Sequence, residues 1–240
     1  MNYFIDIHAN ILPDMPGLGH RPLTAAEAAD RIRDFQENNI KVAAAAPYFN
    51  PAAASPEEFL AQRDKRIAEM TETAAPMRII GGAVLPFSYC LAHPRELQPL
   101  ALGTSGYILV DLPEERVTQS LCDDISRLRI TSRLCPIAAD IDRKYVRWSP
   151  EDWITLRTSG ILLQISADGI LMPENRKLTV YLLANQYAHF VATGSRCAEE
   201  PLHFFDAMRI AQRSLPAQIY RRVKNNAGML LSDADPSVFL

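Results

Sequence analysis

The chain alternates between short runs of hydrophobic residues and longer segments in which hydrophobic positions recur about every three or four residues. The short runs are typical of buried strands, and the longer segments are typical of amphipathic helices. Seven short runs predict strands over residues 3–8, 40–46, 79–85, 107–112, 134–139, 161–166 and 189–193. Strands that alternate with helices in this way favour parallel βαβ units.

Capping signals mark several helix starts. Thr24 stands three residues before Glu27, and Ser55 opens the run Ser55-Pro56-Glu57-Glu58. In such a capping box the hydroxyl accepts from the backbone of the first turn, and the acid reaches back to the cap. Ser149 opens a similar run with a proline at the first helical position. We therefore predict helices after these three residues, and further helices over residues 114–129, 177–186, 202–214 and 217–225.

The order of these elements leaves two architectures, an open doubly wound sheet and a barrel. No glycine-rich phosphate loop follows the first predicted strand, as a nucleotide-binding open sheet would require. No linker or internal repeat divides the chain. We therefore predict one α/β domain over residues 1–240, folded as a seven-stranded (β/α) barrel whose chemistry lies at the carboxyl ends of the strands.

Composition excludes several functional classes. The 240 residues include 25 Lys and Arg against 28 Asp and Glu, a formal charge of −3, and 48% are hydrophobic. This mixture argues against disorder, and the lack of a basic excess argues against nucleic-acid binding. The chain begins without the basic and apolar regions of a signal peptide, and no run of about 18 apolar residues predicts insertion into a membrane.

The four cysteines favour a reducing compartment. They form no Cys-x-x-Cys pair, and we expect them to be small core residues in a cytoplasmic protein: Cys90, Cys122, Cys135 and Cys197.

The end of the first predicted strand carries a candidate metal site. Side chains alternate along a strand, so Asp6, His8 and Asn10 share one face. An imidazole and an amide with a carboxylate behind them are typical of metal ligands and their supporting residues. The alternative is a hydrogen-bonded core histidine, because a lone histidine supplies one ligand where a metal site needs three or more.

The other predicted strand ends contain few ligands. The fifth strand is followed by Asp140-Ile141-Asp142-Arg143, an acidic pair beside a cation. A multinuclear metal centre needs several inward-pointing His, Asp or Glu side chains. The remaining histidines stand in loop or helix contexts or at the start of a strand: His20, His93, His189 and His203. The supply is too small for a multinuclear centre.

The run Phe4-Ile5-Asp6-Ile7-His8-Ala9-Asn10-Ile11-Leu12-Pro13 resembles the opening Asp-x-His-x-His-Ile-Leu-Pro of the capsular-polysaccharide tyrosine phosphatases. These are manganese-dependent members of the polymerase-and-histidinol-phosphatase (PHP) superfamily, found in bacterial exopolysaccharide clusters. The similarity extends along nearly the whole chain and includes residues 44–47, 55–58, 136–143, 163–166, 189–193 and 225–233. The resemblance implies a distorted seven-stranded βα barrel of PHP type.

The same resemblance implies a metal site that has lost most of its ligands. His8 matches the first motif histidine and Asp6 is kept, but Asn10 replaces the second histidine and Asp140 replaces a histidine of the fifth strand. Other ligand positions of the family fall on or near residues that do not coordinate divalent ions: Pro16, Gly17, Tyr48, Val84, Gly194 and Arg196.

The resemblance also implies a phosphate-binding residue. Arg143 matches the arginine of a Glu-Arg pair that helps to bind phosphate in the family, with Asp142 in place of the glutamate. Arg143 and Asp142 are therefore the expected catalytic residues if the chain is an enzyme.

Three functions stay open. The first is a non-catalytic relative that needs no cofactor and binds a phosphorylated or anionic partner, such as the tail of a bacterial tyrosine kinase, at Tyr48, Arg143 and Arg196. The second is a phosphatase with one Mn, Fe or Zn ion, held by His8, Asn10 and Asp140 with Asp6 behind them, and with His20 and Asp142 as further candidates. The third is an assembly subunit, and a homo-oligomer in which a neighbouring subunit completes the site also stays open.

Overall fold

Parallel strands form the centre of the molecule. The structure is a computed structural model that describes residues 3–15, 21–114, 116–144, 148–195, 200 and 202–240. In these residues the strands are β1 (Phe4–Ala9), β2 (Ile40–Ala45), β3 (Arg78–Gly81), β4 (Val84–Pro86), β5 (Tyr107–Asp111), β6 (Cys135–Ala138), β7 (Leu162–Ser166) and β8 (Phe190–Ala192). They form one sheet in the order β1-β2-β3 and a second in the order β4-β5-β6-β7-β8, with every pairing parallel.

Helices connect the strands. The α-helices in the described residues are α1 (Ala25–Glu37), α2 (Pro56–Ala74), α3 (Phe87–Ala92), α4 (Gln119–Ser132), α5 (Ile141–Lys144), α6 (Pro150–Thr158), α7 (Ala167–Leu171), α8 (Pro173–Ala184), α9 (Phe204–Ser214) and α10 (Ala217–Leu231). The three capping boxes predicted from the sequence are all present, at Thr24, Ser55 and Ser149. The mixed α/β class with parallel strands is confirmed.

A closed seven-stranded barrel is not confirmed, because the strands divide into sheets of three and five. The third predicted run, residues 79–85, splits into β3 and β4 at Gly82 and Ala83. Gly82 donates to the carbonyl of Ala45 (2.9 Å), so β3 stays with β2, whereas Val84 pairs with Leu109 of β5. A Cβ at Gly82 would lie 2.8 Å from Leu102 Cδ2, so the chain passes close to the Leu102 side chain here.

Individual hydrogen bonds, instead of continuous β-ladders, join the two sheets. On one side the amide of Val84 donates to the carbonyl of Pro47 (3.0 Å), and Phe49 donates to the carbonyl of Val84 (2.9 Å). On the other side the amide of Gly194, just beyond β8, donates to the carbonyl of His8 in β1 (3.0 Å). These contacts bring the carboxyl end of β1 against the segment that follows β8.

Several predicted helix bounds are wrong. The helix predicted from residue 114 begins at Gln119, because the Thr118 hydroxyl accepts from the amide of Leu121 and caps it there. The helix predicted from residue 177 already begins at Pro173, and the last helix continues to Leu231. Helices α3, α5 and α7 are four to six residues long, too short to show helical periodicity in the sequence.

The buried residues include three of the four cysteines. Cys90, Cys122 and Cys135 are free thiols, and burial raises the pKa of Cys90 and of Cys135 to about 12. These thiols are core residues, as predicted, and Cys197 lies outside the described residues. No helix within the described ranges has the length and apolar character needed to cross a membrane.

The Ser55 cap should contribute measurably to stability. Replacing Ser55 with Ala removes the hydroxyl that accepts from the amide of Glu58 at the start of the 19-residue helix α2. We expect Ser55→Ala to lower the free energy of unfolding by about 1 kcal/mol in urea denaturation. Thr71→Ala, within the same helix, is the control and should cost less; an equal loss in both variants would contradict the capping role.

Candidate functional site

A cluster of three polar side chains lies at the carboxyl ends of β1, β6 and β7. His8 Nδ1 is 3.1 Å from Gln164 Oε1 and 3.5 Å from Asp140 Oδ1. The Gln164 amide also bonds to Asp140 twice: its Nε2 donates to Asp140 Oδ1 (2.9 Å), and its Oε1 accepts from the Asp140 backbone amide (3.0 Å). All three residues are buried. The cluster therefore joins three strand ends through hydrogen bonds that the chain itself supplies.

Charge complementarity holds His8 and Asp140 together. Burial acts to lower the pKa of His8, but the Asp140 carboxylate and Gln164 Oε1 outweigh it, so this pKa is raised. Burial acts in turn to raise the pKa of Asp140, but the charges of His8 and Arg143 lower it to about 2. The protonated form of His8 and the ionised form of Asp140 thus favour each other.

Asp6 closes β1 against the segment beyond β8. Its carboxylate accepts from the backbone amide of His8 (2.9 Å) and from the hydroxyl of Thr193 (2.6 Å). The Thr193 backbone amide also donates to it (3.2 Å). Asp6 is fully buried, and this burial raises its pKa. Asp6 does lie behind His8, but it binds the backbone of His8 and not its imidazole.

Asp142 organises the start of α7. Its two carboxylate oxygens accept from the backbone amide and the hydroxyl of Ser166, both at 2.6 Å. The Ser166 oxygen accepts in turn from Gly169 (3.1 Å), which caps α7. Burial, and then the neighbouring charge of Asp140, raise the pKa of Asp142 to about 6. A catalytic role for Asp142 stays a prediction, and the contacts of this carboxylate support a structural one.

Arg143 is surrounded by carboxylates. Its Nη2 donates to Asp168 Oδ2 (3.0 Å), and its Nη1 lies 3.4 Å from Glu200 Oε1. Arg31 of α1 anchors the same region, because its guanidinium donates to the backbone carbonyls of Asn10 and Glu200, both at 3.0 Å. The cation predicted to bind phosphate is therefore already engaged by two acidic side chains.

The remaining predicted site residues have other contacts or lie outside the described residues. The Tyr48 hydroxyl faces Asp111 Oδ2 at 3.5 Å, and burial, followed by this carboxylate, raises the pKa of Tyr48 to about 12. Asn10 contributes its backbone carbonyl to Arg31. The predicted anion-binding residue Arg196 lies outside the described residues, as do Pro16, Gly17 and His20. An anion site formed by Tyr48, Arg143 and Arg196 stays a prediction.

Two other histidines have structural surroundings. His189 Nδ1 accepts from the amide of Leu163 (3.0 Å), and burial lowers the pKa of His189 to about 3, so it is a neutral core residue. His93 stacks on Tyr89 with a ring separation of 4.7 Å.

The side chains that the structure describes are not grouped as a multinuclear metal centre requires. Of the predicted ligands, His8 and Asp140 lie together, but their facing atoms bond to each other and to Gln164. Within the described part of the chain, no three or more His, Cys, Asp or Glu side chains are grouped so that they could hold an ion. Tyr48 and Val84, at two of the implied ligand positions, offer no strong donor for such an ion.

Sequence reasoning missed the residues that complete this network. Gln164 is a polar residue inside the apolar run Ile161-Leu162-Leu163-Gln164-Ile165, and a buried amide needs hydrogen-bond partners. That pattern is a signal for a networked side chain, but it does not name the partners. Thr193 and Arg31 carried no comparable signal.

Comparison with known proteins places this chain in a family. The model of the family described as capsular polysaccharide synthesis, CpsB/CapC, matches residues 4–231, so the chain belongs to this family. The resemblance drawn from the sequence is confirmed at that level.

One solved structure similar to this chain comes from crystal structures of YwqE from Bacillus subtilis and CpsB from Streptococcus pneumoniae, reported as unique metal-dependent tyrosine phosphatases. The TM-score is 0.80 at 20% sequence identity, over 96% of this chain and 95% of the other. At this identity the likeness shows the fold. No match was found among the curated proteins.

Gly194 should be the least replaceable glycine of this site. Its φ is +57°, and an added Cβ would lie 2.2 Å from Asp140 Oδ1, which His8 and Gln164 hold in place. We expect Gly194→Ala to lower the free energy of unfolding by about 3 kcal/mol in urea denaturation. Gly103→Ala is the matched control, because φ is +60° and the nearest atom is 3.4 Å away. It should cost about 1 kcal/mol, and equal losses would contradict the clash.

The raised pKa of Asp142 predicts a pH-dependent stability. This pKa is about 6 in the fold against an ordinary value of 3.8, so ionisation of Asp142 disfavours the folded state. The free energy of unfolding of the wild type, relative to Asp142→Asn, should therefore fall as the pH rises from about 4 to about 6 and stay level above that range. Urea denaturation of both proteins at each pH measures this difference, and a difference independent of pH would contradict the shift.

Proposed function

We propose that this chain is a non-catalytic member of the CpsB/CapC family that binds a phosphorylated or otherwise anionic partner in capsule or exopolysaccharide synthesis without hydrolysing it. The observation that carries the proposal is the hydrogen-bonded network of His8, Asp140 and Gln164. His8 Nδ1, Asp140 Oδ1 and the Gln164 amide bond to one another, whereas a catalytic ion would need such lone pairs directed at itself.

The electrostatics of the network support the same conclusion. A histidine that binds a metal must be neutral, but the charge of Asp140 favours the protonated form of His8. Without a bound ion, the described side chains supply nothing that would lower the pKa of an attacking water toward neutrality. Arg143 lies just beyond the carboxyl end of β6. Its guanidinium is suited to bind a phosphate or carboxylate of a partner.

We also interpret the two sheets as parts of one distorted seven-stranded barrel of PHP type. The supporting contacts are the hydrogen bonds of Val84 with Pro47 and Phe49 on one side, and of Gly194 with His8 on the other. In this interpretation β3 and β4 are two halves of one strand. The single-domain organisation, the cytoplasmic location and the formation of a homo-oligomer stay predictions.

Metal content and hydrolysis of p-nitrophenyl phosphate test the proposal together. We expect the purified protein, incubated with Mn²⁺ and desalted, to retain well under one equivalent of Mn, Fe or Zn in elemental analysis. Its hydrolysis rate should not exceed that of His8→Ala, because no ion activates water. Thermal denaturation of both proteins checks that the variant is folded.

The competing function is a phosphatase with one ion, for which Asp140 and His8 are the donors that lie close together. One or more stoichiometric ions, with hydrolysis that is lost in His8→Ala, would establish that function and refute ours.

A further inference from the structure

The geometry around Arg143 points to an internal ligand: we infer that the Glu200 carboxylate occupies the position of an incoming anion on Arg143 and must be displaced before a phosphate monoester binds there. This inference rests on the proposed function, because it concerns the same anion site. In this inference, Glu200 limits the access of anions to Arg143.

The two carboxylates on Arg143 are held unequally. Asp168 Oδ2 lies 3.0 Å from Nη2, within good hydrogen-bond distance. Both oxygens of Glu200 face the single atom Nη1, at 3.4 and 3.5 Å, which is long for a charge-assisted bond. Glu200 is therefore the weaker partner of the guanidinium.

The backbones of Asp168 and Glu200 also differ in how they are held. Asp168 lies in the first turn of α7, whose start is fixed by the bonds between Asp142 and Ser166. Glu200 lies outside the helices and strands, and Arg31 holds its backbone carbonyl at 3.0 Å. The anchor of the Glu200 backbone is therefore separate from the contact between its carboxylate and Arg143.

The local charge also favours displacement over simple addition. Arg143 has a mostly buried side chain, 13% exposed, and the side chains of Asp168 and Glu200 are 22% and 21% exposed. Although Arg143 lies beside it, Asp168 has a raised pKa, first because of burial and further because of the charge of Glu200. Two carboxylates thus share one guanidinium, and a phosphate dianion added to both would meet repulsion from each.

Isothermal titration calorimetry with inorganic phosphate and with O-phosphotyrosine, without added metal, tests the inference. We expect Glu200→Gln to bind both probes about tenfold more tightly than the wild type, because one charge next to Nη1 is removed. Glu72→Gln removes the same charge from an exposed position on α2 and should bind like the wild type. The double variant Arg143→Gln/Glu200→Gln should lose the gain.

Three results would overturn the inference: unchanged affinity in Glu200→Gln, an equal gain in Glu72→Gln, or a gain that survives in the double variant. Tighter binding by Asp168→Asn but not by Glu200→Gln would overturn the assignment to Glu200. Thermal denaturation confirms folding of each variant, and Glu200→Ala serves as a second variant that also removes the carboxylate.

These outcomes are separate from failure of the proposed function. Metal-dependent hydrolysis of O-phosphotyrosine by the wild type would refute a non-catalytic role, whereas the relative affinities for inorganic phosphate would still decide the part played by Glu200.

Discussion

The contact between the His8 imidazole and the Asp140 carboxylate is the interaction on which the carboxyl end of the sheets depends. Removing two charges from water is costly, and an ion pair alone does not always offset that cost. Here Gln164 bonds to both partners, and Arg143 adds a further positive charge near Asp140. A pair satisfied in this way fixes the ends of β1, β6 and β7 relative to one another.

This pair belongs to a larger group of buried ionisable side chains. The carboxylates of Asp6, Asp140 and Asp142 lie at the same end of the sheets. Each accepts hydrogen bonds from backbone amides or side chains of the protein. Buried polar groups are costly unless they are satisfied, so this network specifies one arrangement of the strand ends. Membership in the CpsB/CapC family does not by itself decide the chemistry of this site, because a fold does not determine the chemistry placed on it.

Local signals in the sequence predicted many of the secondary-structure elements. The caps at Thr24, Ser55 and Ser149 act within one turn, so their residues identify themselves in the sequence. The break between β3 and β4 was not predicted, because it depends on pairing with two different strands, β2 and β5, that lie outside the run itself. The start of α4 at Gln119 was also not predicted, because acidic residues upstream of Thr118 also suit the first turn of a helix.

By itself, the sequence determined the α/β class, the alternation of strands and helices, the family and the presence of His8, Asp140 and Arg143 at or near strand ends. These properties follow from periodicity and short motifs, which are read within a few residues. The tertiary structure decided which groups these side chains bind. His8 and Gln164 are 156 positions apart and Arg143 and Glu200 are 57 apart, so only the arrangement of the strand ends makes them neighbours. The same residue types could have surrounded an ion. The sequence did not show that these side chains point toward one another.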